Sequence, residues 1–151
     1  MKKAMAVLFG MCLTNAAFAV IPAGTELPIV VVNKQKVTPG EDSMVSFHVD
    51  KPEGSASSRA AARRLADCTL EGMAHLDAKT QRITLKNPAL KCDPQKAEKL
   101  GLTGASLDGQ IIGPDRKTGM RVTCKYQPGC LQGTLKDGDK GFFLFAKPFG
   151  N

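Results

Sequence analysis

The segment from Cys68 to Cys92 shows the pattern around which the chain is organised, an alternation of apolar and polar residues with a period of two. Cys68, Leu70, Gly72, Ala74 and Leu76 fall on one face, and Thr69, Glu71 and His75 on the other. That spacing is the signature of a half-buried strand. Asp77 to Thr80 forms a turn cluster, after which Ile83 and Leu85 resume the inward face between Arg82, Thr84 and Lys86. The segment therefore predicts an antiparallel hairpin with a thiol at each outer end. Residues equidistant from such a turn adjoin, so Cys68 and Cys92 come within reach of the roughly 5.5 to 6 Å Cα separation that a disulfide prefers.

The same reading extends along the chain. Ile29 to Val32 lacks polar alternation and predicts a strand covered on both faces. Asn33 to Asp42 is polar and holds the turn pair Pro39-Gly40, and then Val45, Phe47 and Val49 alternate with Ser46, His48 and Asp50. This second strand places His48 toward solvent. Lys51 to Ser58 reads as a loop, and Arg59 to Leu65 as about two helical turns capped by Ser57 or Ser58. Asp93-Pro94 supplies the cap and first residue of another helix, Pro94 to Leu100, with Gly101 as its stop. Ser106 to Gly113 predicts a strand, Pro114 to Gly119 a turn, and Met120 to Tyr126 a partner strand, a second hairpin with Arg121 and Lys125 on a basic outer stripe. Leu131 to Leu135 forms a short strand and Lys136 to Lys140 a turn. Phe142-Phe143-Leu144-Phe145, within the final run Gly141 to Ala146, is apolar on both faces. It is either a central strand or an edge covered by a neighbouring subunit. Seven or eight short strands with one or two short helices predict an all-β fold, a small β-sandwich or barrel.

Composition adds a compartment. Lys2 and Lys3 precede the apolar run Ala4 to Leu13, and Ala17-Phe18-Ala19 forms a small-residue cleavage site. This is the plan of a secretory signal peptide over residues 1 to 19, with the mature chain starting at Val20. A lipoprotein reading would acylate Cys12, but Phe9 and Met11 suit that chemistry poorly. Removing the signal leaves residues 20 to 151 as one domain with no integral membrane span, carrying 19 basic and 14 acidic side chains. The excess of positive charge is mild. Basic residues are dispersed and there is one tyrosine and no tryptophan, which argues against nucleic-acid binding. Cys68, Cys92, Cys124 and Cys130 remain, and an even number in an exported chain implies two disulfides. Counting leaves three pairings open. Cys68 with Cys92 and Cys124 with Cys130 is the favoured one, the second pair flanking the turn Gln127-Pro128-Gly129.

Nothing in the sequence assembles an active site. The motifs Gly-x-Ser-x-Gly, His-Glu-x-x-His and Gly-x-x-x-x-Gly-Lys are absent, and Cys124 and Cys130 do not have the Cys-x-x-Cys spacing of thiol oxidoreductases. His75 and Glu71, four residues apart in a strand, stand about 13 Å from each other. The irregular cysteine spacing and two histidines in an oxidising compartment argue against zinc, and no cofactor is expected.

Three stretches carry a family resemblance. Ala23-Gly24-Thr25-Glu26-Leu27-Pro28 with its apolar strand, the Cys68 to Cys92 hairpin, and Leu107-Asp108-Gly109-Gln110-Ile111-Ile112-Gly113-Pro114-Asp115-Arg116-Lys117-Thr118-Gly119-Met120-Arg121 resemble the C-terminal periplasmic module of the TraB/TrbI family. Those proteins are scaffolds of conjugative type IV secretion channels. The resemblance implies a barrel-like module that packs with copies of itself and with outer-membrane partners. The expected function is thus a non-enzymatic structural component of a conjugation or pilus-type apparatus in the periplasm, a possible homo-oligomer among other envelope proteins. Its expected contacts are Ile29 and Val31, then Arg59, Arg63 and Arg64, then Phe142, Phe143 and Phe145. The alternative is a stand-alone exported binding or inhibitor protein, for which a disulfide-stapled β-domain is also a sufficient scaffold.

Overall fold

The computed structural model describes residues 21–102, 107–126 and 129–150. The proposed signal peptide, Val20, Cys12, Ser106 and the Gln127-Pro128 pair lie outside them. Among the described residues the strands are β1 (Glu26–Val30), β2 (Gln35–Val37), β3 (Ser43–Val49), β4 (Thr69–Asp77), β5 (Arg82–Lys91), β6 (Gly109–Ile112), β7 (Met120–Arg121), β8 (Thr123–Lys125), β9 (Gln132–Leu135) and β10 (Lys140–Phe145). The helices are α1 (Ala56–Arg64) and α2 (Pro94–Lys99). The all-β prediction holds.

Seven strands form one sheet in the order β6-β10-β1-β3-β4-β5-β7, and its two margins curl round until they almost meet. Strand alternation sends one set of side chains inside this near-closed barrel. Leu27, Ile29, Val45, Phe47, Leu70, Ile83, Ile111, Phe143 and Phe145 are fully enclosed there. At about 1.5 to 3 kcal/mol for each large apolar side chain, this interior dominates the stability. β10 settles between β6 and β1, so the Phe-rich run is a central strand. Phe143 and Phe145 meet edge to face with ring centroids 5.1 Å apart.

The β4–β5 hairpin contains a device that periodicity did not reveal. From the turn outward the register pairs Asp77 with Arg82, Leu76 with Ile83 and Met73 with Lys86, but beyond a bulge it pairs Glu71 with Ala89 and Thr69 with Lys91. The bulge inserts one extra residue into β5, where Asn87 takes a positive φ of 52°. Without it Cys68 would face Lys91. With it Cys68 and Cys92 adjoin, their Cα atoms 4.3 Å apart, and they are joined by a disulfide. Cys124 and Cys130 form the second, so the favoured pairing is the observed one.

The two margins of the near-closed barrel, β6 and β7, touch at a seam. Gly119 forms a parallel bridge with Ile112 and donates its N–H to the Ile111 carbonyl at 2.8 Å. Arg82, placed on the outer face by alternation alone, is instead buried at this seam. It donates to the Gly119 carbonyl at 2.8 Å and clasps both carboxylate oxygens of Asp115. Burial of the guanidinium is tolerable because these acceptors satisfy it. Gly119 has a φ of 82°, and a Cβ there would stand 2.8 Å from the Ile83 carbonyl oxygen, so only glycine suits the crossing.

This seam corrects the second hairpin. β6 pairs with β10, β7 with β5 and β8 with β9, so the Gly109–Ile112 and Met120–Lys125 runs do not form a ladder with each other. The chain breaks at Val122 and passes from the barrel to a separate three-stranded sheet, β2-β9-β8. β2 lies in the polar stretch read as a connection. Its side-chain periodicity of Lys34, Lys36 against Gln35, Val37 is strand-like, but too short to stand out from a turn.

Candidate functional site

The two ends of the barrel carry the two basic surfaces. α1 joins β3 to β4 at one end, and its buried Ala61, Ala62 and Leu65 close the core there, against β1. The helix starts earlier than its arginines suggested. Ser55 is the cap, its hydroxyl accepting from the Ser58 N–H at 3.2 Å, while Ser58 itself is buried. Arg63 and Arg64 occupy the last turn, where positive charge complements the helix dipole. α2 leaves β5 directly after Cys92 and ends as predicted at Gly101, whose φ is 70°. The Cys68–Cys92 bond thus ties the exit of one helix to the entry of the other. Between them lies an open cleft of about 490 Å³ lined by Arg63, Arg64, Asp93, Gln95, Lys96, Lys99 and Leu100. Lys96 pairs with Asp67 at 3.2 Å, which fixes one wall.

Of the expected contact residues, the structure brings Arg63 and Arg64 to this cleft and turns Arg59 back onto its own loop, where it donates to the Gly54 carbonyl at 2.6 Å. Ile29, Val31, Phe143 and Phe145 are corrected. They are no more than 1% exposed, since the barrel interior claims the face that an apolar run offers, and they are not available to a partner. Phe142 points outward but is half-buried beneath the Arg116 guanidinium, 4.5 Å from the ring centroid, and Arg116 also pairs with Glu26.

The opposite end is covered by β2-β9-β8. Gly133 lets this small sheet approach the barrel, because a Cβ there would come within 2.7 Å of Val122 Cγ2. On the outer face Lys36, Thr134 and Thr123 lie side by side across the three strands. Lys34, Lys125 and Lys136 surround Thr123 and Thr134, and a shallow cavity of about 460 Å³ opens among them, with Asp137 at its rim. The basic stripe read from Arg121 and Lys125 is split, because Arg121 stays with β7 in the barrel sheet and only Lys125 reaches this face. The other lysines, Lys34, Lys36 and Lys136, come from segments far apart in sequence, in or next to β2 and β9.

The titratable groups elsewhere form surface ion pairs. His48 is exposed, as alternation predicts. His75 approaches not Glu71 but Asp42, at 3.5 Å, and Lys86 reaches the other oxygen of that carboxylate at 3.1 Å. The Lys86 hydrogen bond, with His75 adding to it, holds the Asp42 carboxyl below its usual range. The Arg82 guanidinium does the same to Asp115. Among the described residues no three His, Cys, Asp or Glu side chains are grouped to hold a metal. No helix among them is long and apolar enough to cross a membrane. Two disulfides fit an oxidising compartment. Compared with known proteins, the chain matches no family model and no curated sequence.

Proposed function

We propose that the protein is a non-enzymatic structural component of an envelope assembly, exported to the periplasm and serving a conjugative (type IV secretion) or pilus-type apparatus. The observation that carries this reading is the cleft between α1 and α2. Its cations, Arg63, Arg64, Lys96 and Lys99, come from two helices held together by the Cys68–Cys92 bond. A preorganised basic cleft on a closed, stapled barrel suits an acidic segment of a partner protein, since rigid scaffolds lose little conformational freedom on binding. The resemblance of the Gly109–Arg121 stretch to the TraB/TrbI periplasmic module supports the same class of assembly, in which other envelope proteins or further copies of this chain are the partners. That stretch forms the β6–β7 seam, whose Arg82 clasp holds the barrel closed.

Site-specific crosslinking tests the reading. With a photoreactive side chain at Gln95 beside the cleft, the oxidised chain in cells bearing a transfer apparatus is expected to crosslink to an envelope protein of that apparatus. The R63E/K99E variant should weaken the product several-fold. N-terminal sequencing should find a mature start at Val20. A strictly monomeric chain that yields no envelope crosslink, or the same yield with reversed charges, overturns the proposal.

A further inference from the structure

The outer face of β2-β9-β8 gathers four lysines that meet no carboxylate among the described residues. Six cations elsewhere each meet a carboxylate: Arg82 with Asp115, Lys86 with Asp42, Lys96 with Asp67, Arg116 with Glu26, Lys140 with Asp50 and Lys147 with Asp108. Lys34, Lys36, Lys125 and Lys136 have no side-chain hydrogen bond or ion pair among the described residues. All four are exposed, and two carboxylates stand near them, Asp137 at the rim of the cavity and Asp139, which accepts from the Lys136 backbone N–H at 2.9 Å. Concentrating unneutralised like charge on one sheet raises its potential and costs some stability through repulsion. A bound anion removes that repulsion.

Two further observations define the ligand. Thr134 lines the same cavity, is 4% exposed, and its hydroxyl is buried without a hydrogen-bond partner. A hydroxyl in that condition is a donor in want of an oxygen acceptor. At the tip of the β8–β9 hairpin, immediately beyond Lys125, Tyr126 is 67% exposed and Leu131 64%. The Cys124–Cys130 bond ties the two sides of that tip together. Exposed tyrosine and leucine beside lysines with long apolar stems suit the boundary between headgroups and acyl chains, where a side chain with an apolar body and a polar end is most stable.

From these observations we infer that the β2-β9-β8 face docks on an anionic phospholipid bilayer. Lys34, Lys36, Lys125 and Lys136 meet lipid phosphates, Thr123 and Thr134 form the floor beneath one headgroup, and Tyr126 and Leu131 enter the interface. Attraction of this kind is electrostatic, so it weakens as salt shortens the Debye length below about 10 Å. The inference goes beyond the proposed partner cleft and does not depend on it. The two lie at opposite ends of β4, with Cys68 leading into the strand and Leu76 near its far end beside Gly133.

Vesicle sedimentation of the oxidised mature chain is the test. It should partition onto phosphatidylcholine vesicles containing phosphatidylglycerol, remain free with phosphatidylcholine alone, and be released by high salt. The K34Q/K125Q/K136Q variant should lose on the order of a hundredfold in partitioning, since each lysine near such a surface contributes roughly one factor of five. The K51Q/K91Q/K147Q variant, equal in net charge, should stay within about twofold of the parent. Both should melt within a few degrees of it. Equal binding to the two lipid compositions, or equal losses in the two variants, overturns the proposal. So does absence of vesicle binding together with NMR shifts at Lys125 and Thr134 on adding inorganic phosphate, which would assign the face to free phosphate.

Discussion

The two ends of the barrel are each basic and each stapled, yet they are built differently. At the α1–α2 end the disulfide spans a sequence separation of 24 and unites two helices and the longest hairpin, while Asp67 and Asp93 temper the cations around it. At the small-sheet end the disulfide spans a separation of 6 and closes only the local β8–β9 turn, beside lysines that lack ion-pair partners among the described residues. The first staple organises tertiary structure and a shaped cleft. The second holds a local tip next to a flat field of charge. A cleft with mixed charge selects a shape, whereas a shallow face dominated by lysines selects a charge density.

Removing the staples separately is the strongest way to test that difference. A bond that closes a longer loop restricts the unfolded chain more, so C68S/C92S should lose about 3.5 kcal/mol and C124S/C130S about 2.4 kcal/mol in the chain-entropy account. Denaturant titration of the two variants measures both. Hydrogen exchange should localise the first loss to α1, α2 and the outer half of β4–β5, and the second to β8–β9. Equal losses, or exchange that spreads identically over the molecule, would remove the distinction.

The seam joins the two margins of the barrel and gives the next largest effect. Arg82→Met should lose about 2 kcal/mol, in the range for a hydrogen bond involving a charged group, because the buried Gly119 carbonyl then lacks its donor. Acid should act at the same place. Asp115 has its carboxyl held below the usual 3.8, so its interaction with Arg82 stabilises fully above that pH and is lost as pH falls through the lowered value. Thermal melts from pH 5 downward should therefore show a steeper fall in the parent than in Asp115→Asn.

Two smaller effects contrast the ends directly. Ser55→Ala removes the cap of α1 and should lose about 1 kcal/mol. Thr134→Val removes a buried hydroxyl that has no partner and should gain on the order of 1 kcal/mol. A capping group destabilises when deleted, and an unpaired polar group stabilises. Opposite signs in chemical denaturation would sharpen the comparison, and a loss at both positions would show that the Thr134 hydroxyl is already satisfied.

Much of the fold was legible in the sequence because it rests on local rules. Period-two alternation located the β4–β5 hairpin, the strand holding Val45 and Phe47, and the exposure of His48, since a side chain's face follows from its position along the strand. The Asp93-Pro94 start and Gly101 stop of α2 followed from backbone chemistry. The favoured disulfide pairing is the observed one, although the Asn87 bulge that brings Cys68 to Cys92 was not legible. The candidate surfaces were harder to read. Apolar runs such as Ile29–Val31 and Phe143–Phe145 are equally suited to a core or an interface, and composition does not separate the two.

Local order, apolar spacing and cysteine count are properties of neighbours in the chain, and the sequence by itself determined them: an all-β, twice-stapled domain. Which strands lie side by side depends on contacts between distant segments, and tertiary structure alone decided it. It buried Arg82 against Asp115, sent Met120–Arg121 to β5 rather than to β6, and gathered Lys34, Lys36, Lys125 and Lys136 from three distant segments onto one face. The physical reason is that closing a barrel couples all its registers at once, so the place of each strand is set by the whole ring and not by its own residues.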